Sequence, residues 1–312
     1  MSWNASYLDL HARGGLRRRA AAARELLAAC RVCPRACEAD RLQGETGECA
    51  TGRRARVASG GPHFGEEDVL VGRHGSGTVF FSGCNLNCDF CQNGDISQGP
   101  GGRPVDAAEL AALFLHVQEE YGCHNLNLVT PTHVTSQVLE ALVLAVEAGF
   151  TLPIVYNCGG YESVETLQLL DGVVDIYMPD LKFTDPGPAG RFCRAADYPE
   201  VAAAALAEMH RQVGDLVTDD AGVARRGLLV RHLVLPDGLA GSRAAAALLA
   251  GLSPDTYVNV MAQYRPCHEA GRHPELGRRI SPEEHAAAVQ AMRDAGLHRL
   301  DGVARGRLRL RL

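Results

Sequence analysis

At 312 residues, 46% of them hydrophobic and 22% charged, the chain can bury one large core and a smaller appendage, as an ordinary globular protein does. A formal net charge of -6 gives no electrostatic reason to expect a nucleic-acid partner, and no apolar run is long enough to suggest a membrane span. The first ten residues contain no apolar signal segment, and Arg13, Arg17, Arg18 and Arg19 interrupt the next stretch, so a cytoplasmic location is expected, where eleven cysteines argue for metal or cluster ligation ahead of disulfides.

In chain order, Arg17 to Arg19 read as the solvated face of a helix. Cys30, Cys33, Cys37 and Cys49 come next in the pattern Cys-x2-Cys-Pro-x2-Cys-x11-Cys, with Gly44 and Gly47 permitting tight turns ahead of Cys49. Three uses stay open for these four: a structural zinc knot, an auxiliary iron-sulfur cluster, or partly idle thiols. Glu66 and Glu67 can line an entrance, though a solvated acidic loop is the plainer reading.

From residue 78 onward short β-branched, apolar runs alternate with helical patterns. The expected strands are 78–82, 125–130, 152–156, 174–178, 228–235 and 257–261; the expected helices are 107–121, 135–148, 163–170, 199–213, 242–252 and 282–295. Near-continuous apolar strands separated by helices predict an α/β fold of parallel strands joined by crossover helices, either a barrel or a doubly wound sheet. The segment 218–222 reads as a polar hairpin turn, and Arg305 to Arg311 as a basic tail.

In parallel architectures the chemistry gathers in the loops that leave the carboxyl ends of the strands. Here those positions hold Gly83-Cys84, Thr130 to His133, Asn157 to Gly160, Pro179 to Lys182, Pro236 to Gly238 and Gln263 to Arg265. Lys182 is the chain's single lysine. A sequence that otherwise uses arginine for positive charge places a compact ammonium here, and the two side chains are not interchangeable at a shaped site. His133 and His232 read as satisfied structural histidines, and Cys123, Cys158, Cys193 and Cys267 as core or loop thiols.

Cys84, Cys88 and Cys91 carry the strongest signal, a Cys-x3-Cys-x2-Cys triplet in the loop after the first expected strand. Three thiolates at this spacing can hold three irons of a 4Fe-4S cubane and leave the fourth without a protein ligand, much as catalytic metal sites keep an open position. Zinc would need a fourth ligand nearby.

With Phe90 directly before the last cysteine, this triplet resembles the signature of the radical S-adenosylmethionine (radical SAM) superfamily, and the chain from about Cys30 to Leu300 is similar to its pyruvate formate-lyase activating enzyme-like branch. The resemblance implies a partial (β/α)6 TIM-like barrel with a small Cys-rich N-terminal extension. The corresponding divisions are 1–75 for the Cys-rich region, 76–265 for the core barrel and 266–312 for a C-terminal helix and basic tail. It implies a 4Fe-4S cluster on Cys84, Cys88 and Cys91, with S-adenosylmethionine (SAM) chelating the free iron, and Phe90 beside the adenine. Met178-Pro179-Asp180-Leu181-Lys182 resembles the Met-x-Asp-Leu-Lys stretch of the activating enzymes, and Arg231 lies on a strand similar to the family's Arg-bearing one; Asp180, Lys182 and Arg231 therefore join the cofactor-binding candidates. Thr130 and Thr132 stand where the family carries Gly-Gly-Glu, and Asn157 where it carries Asp-Thr-Asn-Gly.

The implied function is reductive cleavage of SAM to a 5′-deoxyadenosyl radical for hydrogen abstraction, in its most specific form as an activase of a glycyl radical enzyme. A flavodoxin or ferredoxin would donate the electron, and the substrate can be a protein. Two alternatives stay open: radical chemistry on a small molecule, or a non-catalytic electron-transfer or scaffold protein whose cluster takes an external fourth ligand such as Cys158.

Overall fold

The computed structural model describes residues 3–99 and 101–301; the tail from Arg305 to Arg311 lies outside the described residues. The chain opens with helices α1 (Ser6–Ala12) and α2 (Gly15–Glu25), followed by β1 (Ala55–His63), the single turn α3 (Asp68–Val71) and β2 (Ser76–Phe81). Then come α4 (Gly94–Ser97), β3 (Arg103–Val105), α5 (Ala107–Glu119), β4 (Leu126–Val129), α6 (Thr135–Glu147), β5 (Ile154–Cys158), α7 (Val164–Leu169) and β6 (Ile176–Pro179). The remainder is α8 (Pro186–Cys193), α9 (Tyr198–Val213), β7 (Val217–Thr218), β8 (Ala224–Leu233), α10 (Ser242–Leu252), β9 (Tyr257–Met261) and α11 (Pro282–Asp294).

Strands β2, β4, β5, β6, β8 and β9 run parallel, each bonded to the next in that order. They are the six expected from the apolar runs, displaced by a few residues. Every residue of β4, β5 and β6 is buried, which is why these strands read as unbroken apolar segments. β1, β3 and β7 pair antiparallel and make the sheet mixed. β1 lies before residue 75 and bonds along the whole of β2. Its sequence hides it: Gly60, Gly61 and Pro62 interrupt any alternation, and Gly60 is small because a Cβ there would stand 3.0 Å from Leu113 on α5.

The helices start where local chemistry allows. Asp106 and Glu109 form a reciprocal capping box on α5, and Ser281 and Glu284 do the same on α11. α8 begins Pro-Gly-Pro, a turn-like sequence, yet Asp185 caps it and Pro186 occupies the first turn, where no backbone donor is needed. The expected hairpin turn after β7 is closed by Asp219, whose Oδ1 accepts from Ala221 N and Val223 N at 2.9 and 3.0 Å.

α1 covers the amino end of the sheet. Ser6 donates through its backbone N and Oγ to Asp175 Oδ1, just before β6, and the Tyr7 hydroxyl donates to Leu152 O, just before β5. The opposite end is kept level by the register, which pairs Val129 with Asn157 and Asn157 with Met178. Backbone bonds continue past the strands from Thr130 N to Asn157 O, Asp180 N to Cys158 O and Leu181 N to Arg231 O. Side chains at these carboxyl ends are therefore fixed relative to one another.

Candidate functional site

β2 delivers the cysteine loop. Gly83, at φ 87°, turns the chain, and a Cβ at that position would stand 2.5 Å from Cys49 O and 2.9 Å from Thr51 Oγ1. Only glycine fits a left-handed backbone pressed this close to a carbonyl. Asn87, also left-handed at φ 52°, continues the wrap, and Gln98 Nε2 donates to Cys88 O at 2.9 Å.

Each sulfur of the triplet meets a polar group. Cys84 Sγ accepts from Leu86 N at 3.4 Å; Cys91 Sγ lies 3.2 Å from Ser97 Oγ and accepts from the Asn93 backbone; Cys88 Sγ lies 3.1 Å from Cys193 Sγ. Burial pushes the Cys84 thiol up to about 12, against the pull of Leu86 N–H and Lys182. Metal ligation must therefore release a proton from this thiol. Lys182 acts electrostatically on all three sulfurs. Three thiols in one loop, with donors at the sulfurs and a cation facing them, fit an anionic iron-sulfur cluster.

Opposite the loop stands one buried ion-pair network. Asp180 Oδ2 takes Lys182 Nζ at 2.5 Å and its Oδ1 takes Arg231 Nε at 2.7 Å, while Arg231 Nη2 donates to Asn157 Oδ1 at 2.7 Å. Burial opposes the charge on Asp180, but the two cations hold its carboxyl below the usual carboxylate range. Burial also opposes the charge on Lys182, and Asp180 with the Cys88 thiolate keeps its pKa well above the ordinary value. Asp180, Lys182, Arg231 and Asn157 thus converge, as expected of strand-end residues.

The other candidates are placed differently. Thr132 is fully buried and its hydroxyl donates to Glu162 Oε1 at 2.7 Å, a carboxylate that nothing in the sequence singles out. Burial pushes Glu162 up to about 7, with Thr132 and the Tyr156 hydroxyl donating to it. Thr130 is left-handed at φ 59° and half-buried. Phe90 is buried, its ring edge-on to Phe183 and Tyr264 at centroid distances of 5.7 and 6.4 Å.

Two expectations are corrected. Glu66 and Glu67 are not a solvated loop: Glu66 reaches Arg231 Nη1 at 3.7 Å with its side chain 9% exposed, and Glu67 accepts from Asn259 Nδ2. Cys158 is not the thiol beside the triplet, because it bonds Glu162; Cys193, in the core as one of the two expected placements, is the one beside Cys88. Cys193 lies at the end of α8, and the only sequence signal for it is that this helix follows the Asp180–Lys182 strand end directly. No described helix is long and apolar enough to cross a membrane.

A family model described as the Radical SAM superfamily matches residues 78–221. The chain is 30% identical over 278 residues, 86% of its own length and 75% of the other's, to uncharacterized protein MJ0674 of Methanocaldococcus jannaschii. Among solved structures, HydG, a maturase of the FeFe-hydrogenase, aligns over 70% of this chain with a TM-score of 0.47 and 14% identity. The cobalamin-dependent SAM radical enzyme OxsB aligns over 71% with a TM-score of 0.38 and 10% identity. The chain spans 49% of the HydG chain and 30% of the OxsB chain.

Proposed function

Because the chain belongs to the radical SAM superfamily, whose members are enzymes that cleave SAM to a radical, we propose that Cys84, Cys88 and Cys91 hold its 4Fe-4S cluster and that Lys182, Arg231 and Asn157 receive the carboxylate end of SAM. The observation that carries this reading is the Asp180 carboxylate clamped between Lys182 and Arg231, facing the three thiols. When cluster and SAM are bound, the chemistry supplied is reductive cleavage of the sulfonium to methionine and a 5′-deoxyadenosyl radical that takes hydrogen from a substrate.

The chain's own part is binding and orientation. Asp180 fixes both cations in place, so little conformational entropy is left to lose on binding. Thr130, half-buried at the strand end, is the acceptor offered to the SAM ammonium, while Thr132, fully buried and committed to Glu162, holds the loop in place. With its ring buried against Phe183 and Tyr264, Phe90 contributes backbone to the adenine subsite. The six parallel strands form the wall of a partial (β/α)6 barrel spanning 76–265, with these residues at its mouth.

The finer reading is activation of a partner protein by hydrogen abstraction from a glycine, with flavodoxin or ferredoxin as electron donor in the cytoplasm. Its support is the stretch Met178 to Lys182, in which both charged residues enter the network. Anaerobic reconstitution with iron and sulfide, then dithionite and SAM, should release 5′-deoxyadenosine; an intact cluster that releases none refutes the enzymatic reading. A doublet glycyl signal in the electron paramagnetic resonance spectrum of a candidate partner supports the activase form, and 5′-deoxyadenosine without one refutes it for that partner.

A further inference from the structure

We propose that the N-terminal cysteines form a second metal centre, a tetrahedral zinc site held by the thiolates of Cys30, Cys33 and Cys49 and by Nδ1 of His133. The proposal stands apart from the radical chemistry and would survive its failure. Its first support is placement: the four N-terminal cysteines and His133, far away in sequence, line one cavity behind the cluster loop. Cys30, Cys33 and Cys49 are buried, whereas Cys37 is exposed at the rim.

The backbone is shaped around these sulfurs. Ala36 N closes a turn onto Cys33 O, Glu38 N and Cys30 O bond across the knuckle, and Cys30 N bonds Ala39 O. The Arg35 backbone N–H donates to Cys33 Sγ, and that of Thr51 to Cys49 Sγ, each two residues on. Burial raises both thiols and these bonds only oppose it, so metal binding must displace their protons. Ala36, Glu38 and Ala50 are all left-handed, at φ 39°, 57° and 52°. Strained non-glycine backbone persists where a site requires it.

His133 supplies the observation that selects the fourth ligand. The ring is 1% exposed, and its Nε2 lies 2.9 Å from Ser82 O. A carbonyl only accepts, so Nε2 carries the proton and Nδ1 keeps its lone pair. That Nδ1 is buried and has no partner. A histidine that donates one N–H to a backbone carbonyl and offers its other nitrogen is the usual form of a metal-bound imidazole.

Arg41 supplies a counter-charge, and burial separates His133 from Cys37. Arg41 is 1% exposed, and its guanidinium meets Gly52 O at 3.1 and 3.2 Å and Cys30 Sγ at 3.6 Å. A buried guanidinium with carbonyl partners alone is costly; it needs an anion. Zinc with three thiolates carries a single negative charge, which Arg41 cancels. Cys37, exposed at the rim, is the thiol that can stay out, and the buried, unpartnered Nδ1 of His133 is the donor that takes its place. The donors surround the cavity without closing on a common point among the described residues, so the metal must draw them together on binding.

The test uses the full chain purified aerobically, with zinc counted by plasma emission. About one zinc per chain is expected in the wild type, in Cys37→Ser and in a chain whose Cys84, Cys88 and Cys91 are all alanine. Zinc affinity in Cys33→Ser, Cys49→Ser and His133→Ala should fall by more than about 100-fold. Cobalt substituted for zinc should give the absorption of a tetrahedral site with three thiolates. A wild type with no zinc overturns the proposal, as does iron with sulfide in this site after reconstitution of the chain lacking the triplet. Zinc lost from Cys37→Ser and retained by His133→Ala overturns the donor set. If Cys33→Ser does not fold, zinc released from the wild type by a mercurial reagent gives the count without a variant.

Discussion

Cys193 Sγ lies 3.1 Å from Cys88 Sγ across 105 residues of chain, with Cys193 wholly buried. Once Cys88 is an iron thiolate, only Cys193 retains a proton, so the contact becomes an S–H donated to a cluster ligand. Hydrogen bonds to cluster sulfur favour the more negative, reduced state and raise the potential. A net bond of about 1 kcal/mol corresponds to about 40 mV for one electron. Cys193→Ala should therefore lower the cluster's potential by about that much, read from a redox titration followed by electron paramagnetic resonance. An unchanged potential would mean that the thiol is packing alone.

Asp180 is the centre of the opposing network, and its two cations set different expectations. Asp180→Asn leaves Lys182 buried without its counterion and Arg231 with only Glu66 at 3.7 Å, and breaking one side of such a pair costs about 3–5 kcal/mol. Urea unfolding should register that loss. Lys182→Met leaves Asp180 still paired to Arg231 at 2.7 Å, so stability should fall less. SAM binding should weaken by about 10–100-fold, the equivalent of one charge-assisted bond, measured by equilibrium dialysis with the reconstituted protein. Lys182→Arg should not restore it, because a planar fork does not replace a compact ammonium in this space.

The parallel strands are legible in the sequence because burial on both faces writes itself as a continuous apolar run, and the site is legible where that rule brings strand ends together. Asp180, Lys182, Arg231 and Asn157 belong to three strands or their immediate ends, and adjacent strands fix their separation. Glu162 and Cys193 escape because nothing local marks them: Glu162 follows Tyr161 in a loop, and its partner Thr132 is 30 residues away. β1 escapes because its glycines serve the packing of Leu113 and leave no side-chain alternation to read. Glu66 misleads because two adjacent glutamates after a glycine look solvated until Arg231 from β8 is brought beside them.

Glu66 gives the fold a pH dependence. Burial raises its pKa from 4.5 to about 7, while Arg231 at 3.7 Å pulls it down and Glu67 and Asp180 add to the rise; His63 Nδ1 lies 3.6 Å away on the other side. A carboxyl that holds its proton longer in the native state contributes stability that is fully present below about 4.5 and is lost as pH rises through about 7. The wild type should thus lose up to about 3 kcal/mol relative to Glu66→Gln between pH 5 and pH 8. Chemical unfolding of both proteins across that range checks it; parallel curves would place the titration elsewhere.

Gly83 joins the cluster loop to the N-terminal cysteines, and its replacement should affect both. The backbone at φ 87° disfavours any side chain, and an alanine Cβ would press on Cys49 O at 2.5 Å, well inside contact distance. The loop cannot simply move away. Arg35, in the N-terminal knuckle, donates to Asn85 O at 2.8 Å and to Leu86 O at 3.5 Å, and Asn87 donates to Glu48 Oε1 at 2.8 Å. Gly83→Ala must therefore either displace Cys49 or lift Cys84 off its position. The expected cost is about 1–3 kcal/mol of stability, with iron retained after reconstitution falling below half of the wild-type value as Cys84 loses alignment with Cys88 and Cys91. Gly60→Ala provides the control: it crowds the Leu113 side chain at 3.0 Å without a left-handed backbone, on a strand that carries no cysteine, and should lower stability while leaving iron content at the wild-type level. Equal iron loss in both variants would mean that general destabilisation, and not the junction at Gly83, governs cluster retention.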